Sequence, residues 1–113
     1  MPYIETTANV AIPSQKERAI KERLGKAIEL IPGKTERWLM VSFRENASMY
    51  FQGSDAPCAI CHVKLYGAGT EAAYEKLTAA LTDILHDELG LEPGRIYVTY
   101  EEIGTWGWNG GNF

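Results

Sequence analysis

The sequence predicts an α+β fold of the α/β-sandwich type, built as a single domain over residues 1–113 from two consecutive β-α-β units. Two stretches carry apolar residues at spacings of three and four, which is typical of amphipathic helices. Short runs rich in β-branched and aromatic residues flank each stretch and favour strands. Because strands joined by a helical crossover run parallel, we expect one mixed four-stranded sheet with both helices on one face.

The first unit opens with a predicted strand over residues 3–10, which places Pro2 at the tip of the sheet. Ser14 and Glu17 match the capping-box pattern and predict the start of the first helix, which Pro32 and Gly33 end. The other predicted strands span residues 38–44, 58–66 and 95–101, with a minor edge strand at residues 49–51.

The second helix is predicted over residues 71–89, with Thr70 as its N-cap and Gly90 as its C-terminal stop. Since both helices would cover the same face of the sheet, the other face would stay exposed. An uncovered sheet rich in Val, Ile, Phe and Tyr is a surface that favours a partner. The sequence therefore predicts a homo-oligomer rather than a monomer.

The C-terminal segment, residues 104–113, combines four glycines with two of the three tryptophans and ends in Phe113. Glycine makes the segment conformationally permissive, whereas large aromatic side chains are poorly suited to a solvated tail. We expect this segment to pack either as the aromatic wall of a pocket or as a clasp between subunits.

Composition and charge narrow the function classes. The net charge is −4 and the eleven Lys and Arg are scattered, so the chain lacks the basic patch of a nucleic-acid-binding protein. No apolar run is long enough to span a membrane, and the N-terminus lacks the layout of a signal peptide. We expect a cytoplasmic protein; release by a route without a signal peptide stays open. Two cysteines without a secretory signal argue against a disulfide scaffold.

The first two residues suggest a catalytic group. Methionine followed by a small residue is normally trimmed, so we expect a mature chain that begins at Pro2 and exposes a secondary amine. A free α-amino group titrates near pH 7.7–8.0, and burial beside a cation lowers its pKa toward the range of a general base at neutral pH. Met-Pro starts are common, so this pattern alone does not establish the role.

Five short motifs carry a family resemblance: Met1-Pro2, Gly33-Lys34, Pro57-Cys58-Ala59-Ile60-Cys61, Pro93-Gly94-Arg95-Ile96-Tyr97, and Gly107-Trp108-Asn109 with the closing Phe113. With these motifs in this order, the chain resembles the macrophage migration inhibitory factor branch of the tautomerase superfamily from end to end. The resemblance implies a homotrimer whose sheets enclose a central channel. It also implies keto–enol tautomerase activity on phenylpyruvate-like aromatic α-keto acids, with no metal or organic cofactor.

The resemblance also implies roles for individual residues. Pro2 would be the base, Lys34 would pair with the substrate carboxylate, and the backbone N–H of Tyr66 would point toward that carboxylate. Tyr97 corresponds to a pocket residue donated by the neighbouring subunit. The apolar lining would comprise Trp106, Trp108 and Phe113.

Three positions depart from the family pattern. Thr99 stands where an asparagine meets the far end of the substrate, Trp106 replaces an aliphatic residue, and Trp38 replaces a tyrosine at the pocket rim. We expect these changes to affect selectivity among ring-substituted substrates rather than catalysis by Pro2.

Two other functions stay open. Trimers of this kind act as cytokines, which would make a host cell-surface receptor a partner. Superfamily members that catalyse hydration, dehalogenation or decarboxylation use extra arginines near the N-terminal proline. We expect no pocket role for the arginines of this chain, which are Arg18, Arg23, Arg37, Arg44 and Arg95.

The cysteines and histidines suggest no further chemistry. Cys58 and Cys61 lie three apart on a predicted strand, where they would be about 10 Å apart and beyond disulfide reach. We interpret both as small buried apolar residues rather than a redox pair. His62 and His86 have no partners at metal-ligand spacing, so no metal site is predicted.

Overall fold

A computed structural model describes all 113 residues and contains a four-stranded mixed sheet covered on one face by two helices. The order of the strands is β2-β1-β3-β4, with β1 parallel to β2, β1 antiparallel to β3, and β3 parallel to β4. This arrangement confirms the predicted fold class. The elements are β1 (Pro2–Ala8), α1 (Ser14–Ala27), β2 (Met40–Arg44), β3 (Ala59–Tyr66), α2 (Glu71–Leu89), β4 (Ile96–Ile103), and a two-stranded hairpin of β5 (Gly107–Trp108) and β6 (Gly111–Asn112).

The core lies between the two helices and alternate residues of the central strands. On β1 and β3 every second side chain is buried, which is the two-residue period of a sheet with one covered face. The helices contribute the apolar residues predicted from their spacing. Large, fully buried side chains of the core include Ile4 and Leu65 of the strands and Ile20, Leu24, Leu77, Leu81 and Leu85 of the helices.

Both predicted ends of α2 are confirmed. The Thr70 hydroxyl accepts a hydrogen bond from the Ala73 backbone N–H at 3.1 Å, which satisfies one of the free donors of the first turn. Gly90 has φ 69°, the left-handed conformation that ends helices, and its N–H donates to the carbonyl of His86.

The predicted capping box of α1 is wrong. The N-cap is Pro13, and no side chain caps this helix end. Because Pro13 is extended (φ −58°, ψ 152°), its carbonyl already accepts the first helical hydrogen bond, from Glu17 N–H at 2.9 Å. Ser14 is therefore inside the first turn, one position too late to cap it.

Two strand predictions need correction. The second strand starts at Met40 rather than at Trp38, because Glu36–Trp38 form a short 3-10 helix. Residues 49–51 form no edge strand. Phe51 and Ser54 instead exchange two backbone hydrogen bonds, at 2.9 and 3.1 Å, across a turn in which Gln52 and Gly53 have positive φ.

The uncovered face of the sheet is more polar than expected. Residues that pair in register share a face, so Glu5 lies with Ser42 and His62, and His62 lies with Thr99. The valines and phenylalanine of the strands, including Val41, point to the helix side because they alternate with these polar residues. Further polar side chains on the uncovered face are Thr7, Arg44, Lys64 and Glu101, and they share it with Tyr3, Met40, Ile60 and Tyr97. No helix is long and apolar enough to cross a membrane.

Candidate active site

A cavity of about 550 Å³ lies at the N-terminal end of β1. Its walls come from three places: the start of β1, the short 3-10 helix leading into the parallel neighbour β2, and the segment that enters the β5–β6 hairpin. The lining is mostly apolar, and three tryptophans and two methionines from outside β1 contribute to it. The lining residues are Met1, Pro2, Tyr3, Arg37, Trp38, Leu39, Met40, Trp106, Gly107 and Trp108.

Backbone pairing fixes the N-terminus at this cavity. Pro2 is the first residue of β1, is buried in this Met1-containing chain, and pairs with Leu65 of β3. One residue earlier, the carbonyl of Met1 accepts a hydrogen bond from the N–H of Tyr66 at 3.0 Å. The start of the chain therefore has a defined position between the sheet and the cavity.

Lys34 provides the positive charge next to the N-terminus. Its Nζ is part-buried and donates to the carbonyl of Tyr66 at 3.0 Å. Partial burial lowers the pKa of the Met1 α-amino group below its usual value of 8.0, and the positive charge of Lys34 lowers it further. An amine at this place is thus shifted toward its neutral, basic form.

The aromatic side chains near the N-terminus pack against one another. Trp38 and Trp108 meet edge to face with ring centroids 5.0 Å apart, and Trp108 stacks on Phe113 at 6.3 Å. Phe113 also packs against Tyr66 at 5.6 Å. Its backbone N–H donates to the carbonyl of Trp106, which closes the C-terminal segment onto the same chain as a wall of the cavity.

The β5–β6 hairpin holds Trp108 in place. Its two turn residues, Asn109 and Gly110, have φ 53° and 82°, the positive values that a tight two-residue hairpin requires. This explains why an Asn-Gly pair follows the tryptophan.

Tyr97 and Thr99 lie away from this cluster within one chain. Pro2 pairs with Leu65, which pairs with Glu102 of β4. Tyr97 and Thr99 precede Glu102 by five and three residues, or about 17 and 10 Å along an extended strand. Tyr97 is 58% exposed, and the Thr99 hydroxyl is hydrogen-bonded to the His62 ring, so neither residue faces the cavity of its own chain.

Arg37 is a cavity residue that the sequence analysis missed. The expectation that it has no pocket role is wrong, because it lines the cavity and its guanidinium lies 5.4 Å from the centre of the Trp38 ring. The one sequence signal for this placement is its position next to Trp38. Arg23 and Arg95 do lie elsewhere: Arg23 pairs with two acidic residues of α2, and Arg95 binds four loop carbonyls.

The cysteines are buried and free, as predicted. Cys58 is 2% and Cys61 0% exposed, and neither forms a disulfide. Burial raises the pKa of the Cys61 thiol to about 11, which disfavours the reactive thiolate. No group of three or more His, Cys, Asp or Glu side chains is placed to hold a metal ion.

The comparisons with known proteins agree in one family. A family model described as macrophage migration inhibitory factor (MIF) matches residues 1–113. The macrophage migration inhibitory factor of Meriones unguiculatus is 30% identical over 115 residues, covering 100% of this chain and 99% of that protein. The D-dopachrome decarboxylase of Xenopus tropicalis is 30% identical over 107 residues, covering 94% and 90%.

Solved structures share the fold. The crystal structure of Leishmania major MIF2 superposes with a TM-score of 0.94 at 31% identity, covering 100% of this chain and 97% of that one. The macrophage migration inhibitory factor of Toxoplasma gondii superposes with a TM-score of 0.92 at 27% identity, covering 98% and 99%. The similarity therefore extends over the whole chain, including the cavity.

Proposed function

Since the chain belongs to the macrophage migration inhibitory factor family of the tautomerase superfamily, we propose that it is a keto–enol tautomerase of phenylpyruvate-like aromatic α-keto acids. Its general base is the Pro2 amine, exposed when Met1 is removed. The names of its relatives support tautomerase or cytokine-like function at the family level. The observation that carries the specific proposal is the N-terminal amine held beside Lys34 at an aromatic cavity.

The reaction moves one proton between carbon and oxygen. The neutral Pro2 amine removes a proton from the carbon next to the ketone. The electron pair of that C–H bond forms the carbon–carbon double bond, and the π pair of the C=O bond moves to the carbonyl oxygen, which is then protonated. In the reverse direction the protonated amine returns the proton to carbon. Only a base with a pKa near the working pH does both efficiently, and burial together with Lys34 shifts an amine at this place in that direction.

The carboxylate of the substrate would take the place of Met1. The carbonyl of Met1 accepts the hydrogen bond of the Tyr66 N–H, and the amino group of Met1 lies against Lys34. Loss of Met1 frees the Tyr66 N–H and leaves the Lys34 ammonium beside it. These two donors suit a carboxylate next to the Pro2 amine. The mechanism uses no metal or organic cofactor.

The aromatic part of the substrate would lie among Trp38, Trp106 and Trp108, with Phe113 at the edge. In a single chain Trp108 and Phe113 are each 52% exposed, so this wall is open on one side. We propose a homotrimer in which the neighbouring subunit closes it with Tyr97 and Thr99. The polar sheet faces would then surround a central channel.

The test is the rate of phenylpyruvate enol–keto conversion, followed by absorbance, for Pro2→Gly. A flexible glycine amine is poorly positioned as a base, so we expect kcat/KM to fall at least about tenfold. Pro13→Gly changes a proline outside the cavity and serves as the matched control. If Pro2→Gly is as fast as the parent chain, Pro2 is not the base.

A cytokine-like role is a second candidate, favoured by relatives named for inhibiting macrophage migration. In this role the trimer would bind a host cell-surface receptor, and the tautomerase activity would be secondary. Direct binding to a defined receptor tests this role, and lack of binding would remove it.

Decarboxylation is a third candidate, because D-dopachrome decarboxylases are among the relatives and Arg37 lines the cavity. Product analysis with D-dopachrome tests it. Release of carbon dioxide would support it, whereas tautomerisation alone would exclude it for this substrate.

A further inference from the structure

We propose that Arg37 forms a second anion-binding subsite, so that the cavity selects aromatic α-keto acids that carry another anionic group on the ring, such as a carboxylate. The inference rests on the proposed function, in which Lys34 and the Tyr66 N–H hold the keto-acid carboxylate. It adds a selectivity residue that acts on the ring substituent of the substrate.

The first argument is the position of the guanidinium. Arg37 lines the same cavity as Pro2, and its guanidinium lies over the Trp38 ring at 5.4 Å. Trp38 is itself supported edge-on by Trp108. A guanidinium stacked on a supported indole loses conformational freedom but keeps its in-plane N–H donors available.

The positive charge of Arg37 is not paired with a carboxylate. Its neighbour Glu36 pairs with Lys21 at 3.6 Å, and no carboxylate of the chain pairs with Arg37. Arg37 also has the only cationic side chain among the residues that line the cavity. An unpaired guanidinium beside apolar walls attracts an anion more strongly than one in open water.

Met1 is close to the surroundings of both cations. Met1 lines the cavity that contains Arg37, while its amino group lies against Lys34. Loss of Met1 therefore joins the space next to Lys34 to the cavity that Pro2 and Arg37 line. A substrate with one anionic group can pair with one of the two cations, Lys34 or Arg37. A substrate with two anionic groups can pair with both.

The tryptophans decide the chemical class of the substrate. The cavity walls include Trp38, Trp106 and Trp108, which favour a flat apolar ring over an aliphatic chain. A ring hydroxyl would be neutral at pH 7 and gain less from a guanidinium than a carboxylate. The fitting ligand is therefore an aryl α-keto acid with an acidic substituent.

The experiment compares kcat/KM for phenylpyruvate and para-carboxyphenylpyruvate in Met1-free chains. In Arg37→Gln we expect the ratio of the two values, diacid over monoacid, to fall at least about tenfold, as for a lost charge-assisted hydrogen bond. Arg37→Lys keeps the positive charge but lacks the planar guanidinium group, so this ratio should fall by less than in Arg37→Gln. Arg18 lies on the exposed face of α1, so Arg18→Gln is the control and should keep the ratio of the parent chain.

A binding measurement keeps this inference separate from the proposed function. Calorimetry with the unreactive acids 4-carboxyphenylacetate and phenylacetate should show tighter binding of the diacid to the parent chain and loss of that preference in Arg37→Gln. If phenylpyruvate is not turned over, the proposed function fails, but the binding preference still tests Arg37. If the parent chain and Arg37→Gln prefer the diacid over the monoacid equally, Arg37 does not form an anion-binding subsite.

Discussion

The amino group at the end of β1 is influenced by one charged side chain, that of Lys34. In the chain described, this group belongs to Met1, and burial and Lys34 both lower its pKa. After processing, the Pro2 amine lies one residue further along the same strand, so we expect the Lys34 charge to lower its pKa as well. Because a general base must be neutral to accept a proton, a lower pKa keeps the enzyme active at lower pH.

Lys34→Gln should therefore change the pH dependence as well as the rate. Without the positive charge the pKa of the amine rises, so the acid limb of the kcat/KM profile should move to higher pH. Loss of the carboxylate partner should also lower kcat/KM by about tenfold or more. The measurement is a pH–rate profile with phenylpyruvate, with the surface variant Lys16→Gln as control. An acid limb that stays in place would show that Lys34 does not tune the base.

Sequence patterns predict the structural roles of some single residues correctly and fail for others. The burial of Cys61 follows from its strand position, and Thr70 caps α2 because a hydroxyl before an apolar periodic run favours that role. Ser14 fits an equally good pattern, yet Pro13 begins the helix one residue earlier. Arg37 could not be placed at the cavity because the direction of its side chain depends on a 3-10 turn that has no sequence signature.

At the scale of elements, periodicity identifies the helices well but identifies short apolar runs less well. Both helices bury apolar residues predicted from their spacing, but α1 ends at Ala27, before the predicted stop at Pro32 and Gly33, and a short 3-10 helix follows over Ile28–Leu30. The strand β2 was predicted two residues too early because Trp38 and Leu39 are apolar for a different reason, namely packing near the cavity. Residues 49–51 have strand-like composition, but the turn that follows folds the chain back on itself.

The C-terminal stop of α2 gives a test at this scale. Gly90 has φ 69°, so Gly90→Ala forces a side chain into the left-handed region and should lower the free energy of unfolding by about 1 kcal/mol. Gly94 has no positive φ and open space where a Cβ would lie, so Gly94→Ala should change stability by less than about 0.5 kcal/mol. Urea denaturation of both variants measures the difference. Equal midpoints would contradict the assigned cap.

At the scale of the whole molecule, the proposed site uses residues of two subunits. Tyr97 lies at the far end of the sheet from Pro2, and Trp108 and Phe113 are half exposed. The sequence predicts an uncovered sheet face, but it could not show that most side chains of this face are polar, because that depends on which alternate residues each strand turns outward. A polar face is better suited to a water-filled channel than to a dry interface, which fits the proposed trimer.

Mixed trimers test whether Tyr97 acts across a subunit boundary. Pro2→Gly and Tyr97→Ala chains, unfolded together and refolded in equal amounts, should regain about a quarter of the parent activity, since that fraction of boundaries pairs two intact residues. The refolded species should have a mass three times 12.6 kDa by light scattering. If the mixture is no more active than the separate variants, Tyr97 does not complete a neighbour's site.

The central claim is that the Pro2 amine is the base, and it depends on the absence of Met1. With Met1 attached, the Pro2 nitrogen is an amide without useful basicity. The most direct measurement compares phenylpyruvate turnover of Met1-free and Met1-retaining chains, the latter produced with methionine aminopeptidase inhibited, after intact-mass analysis has fixed the fraction of each form. The account predicts activity in proportion to the Met1-free fraction. Equal activity of a fully Met1-retaining chain would contradict it.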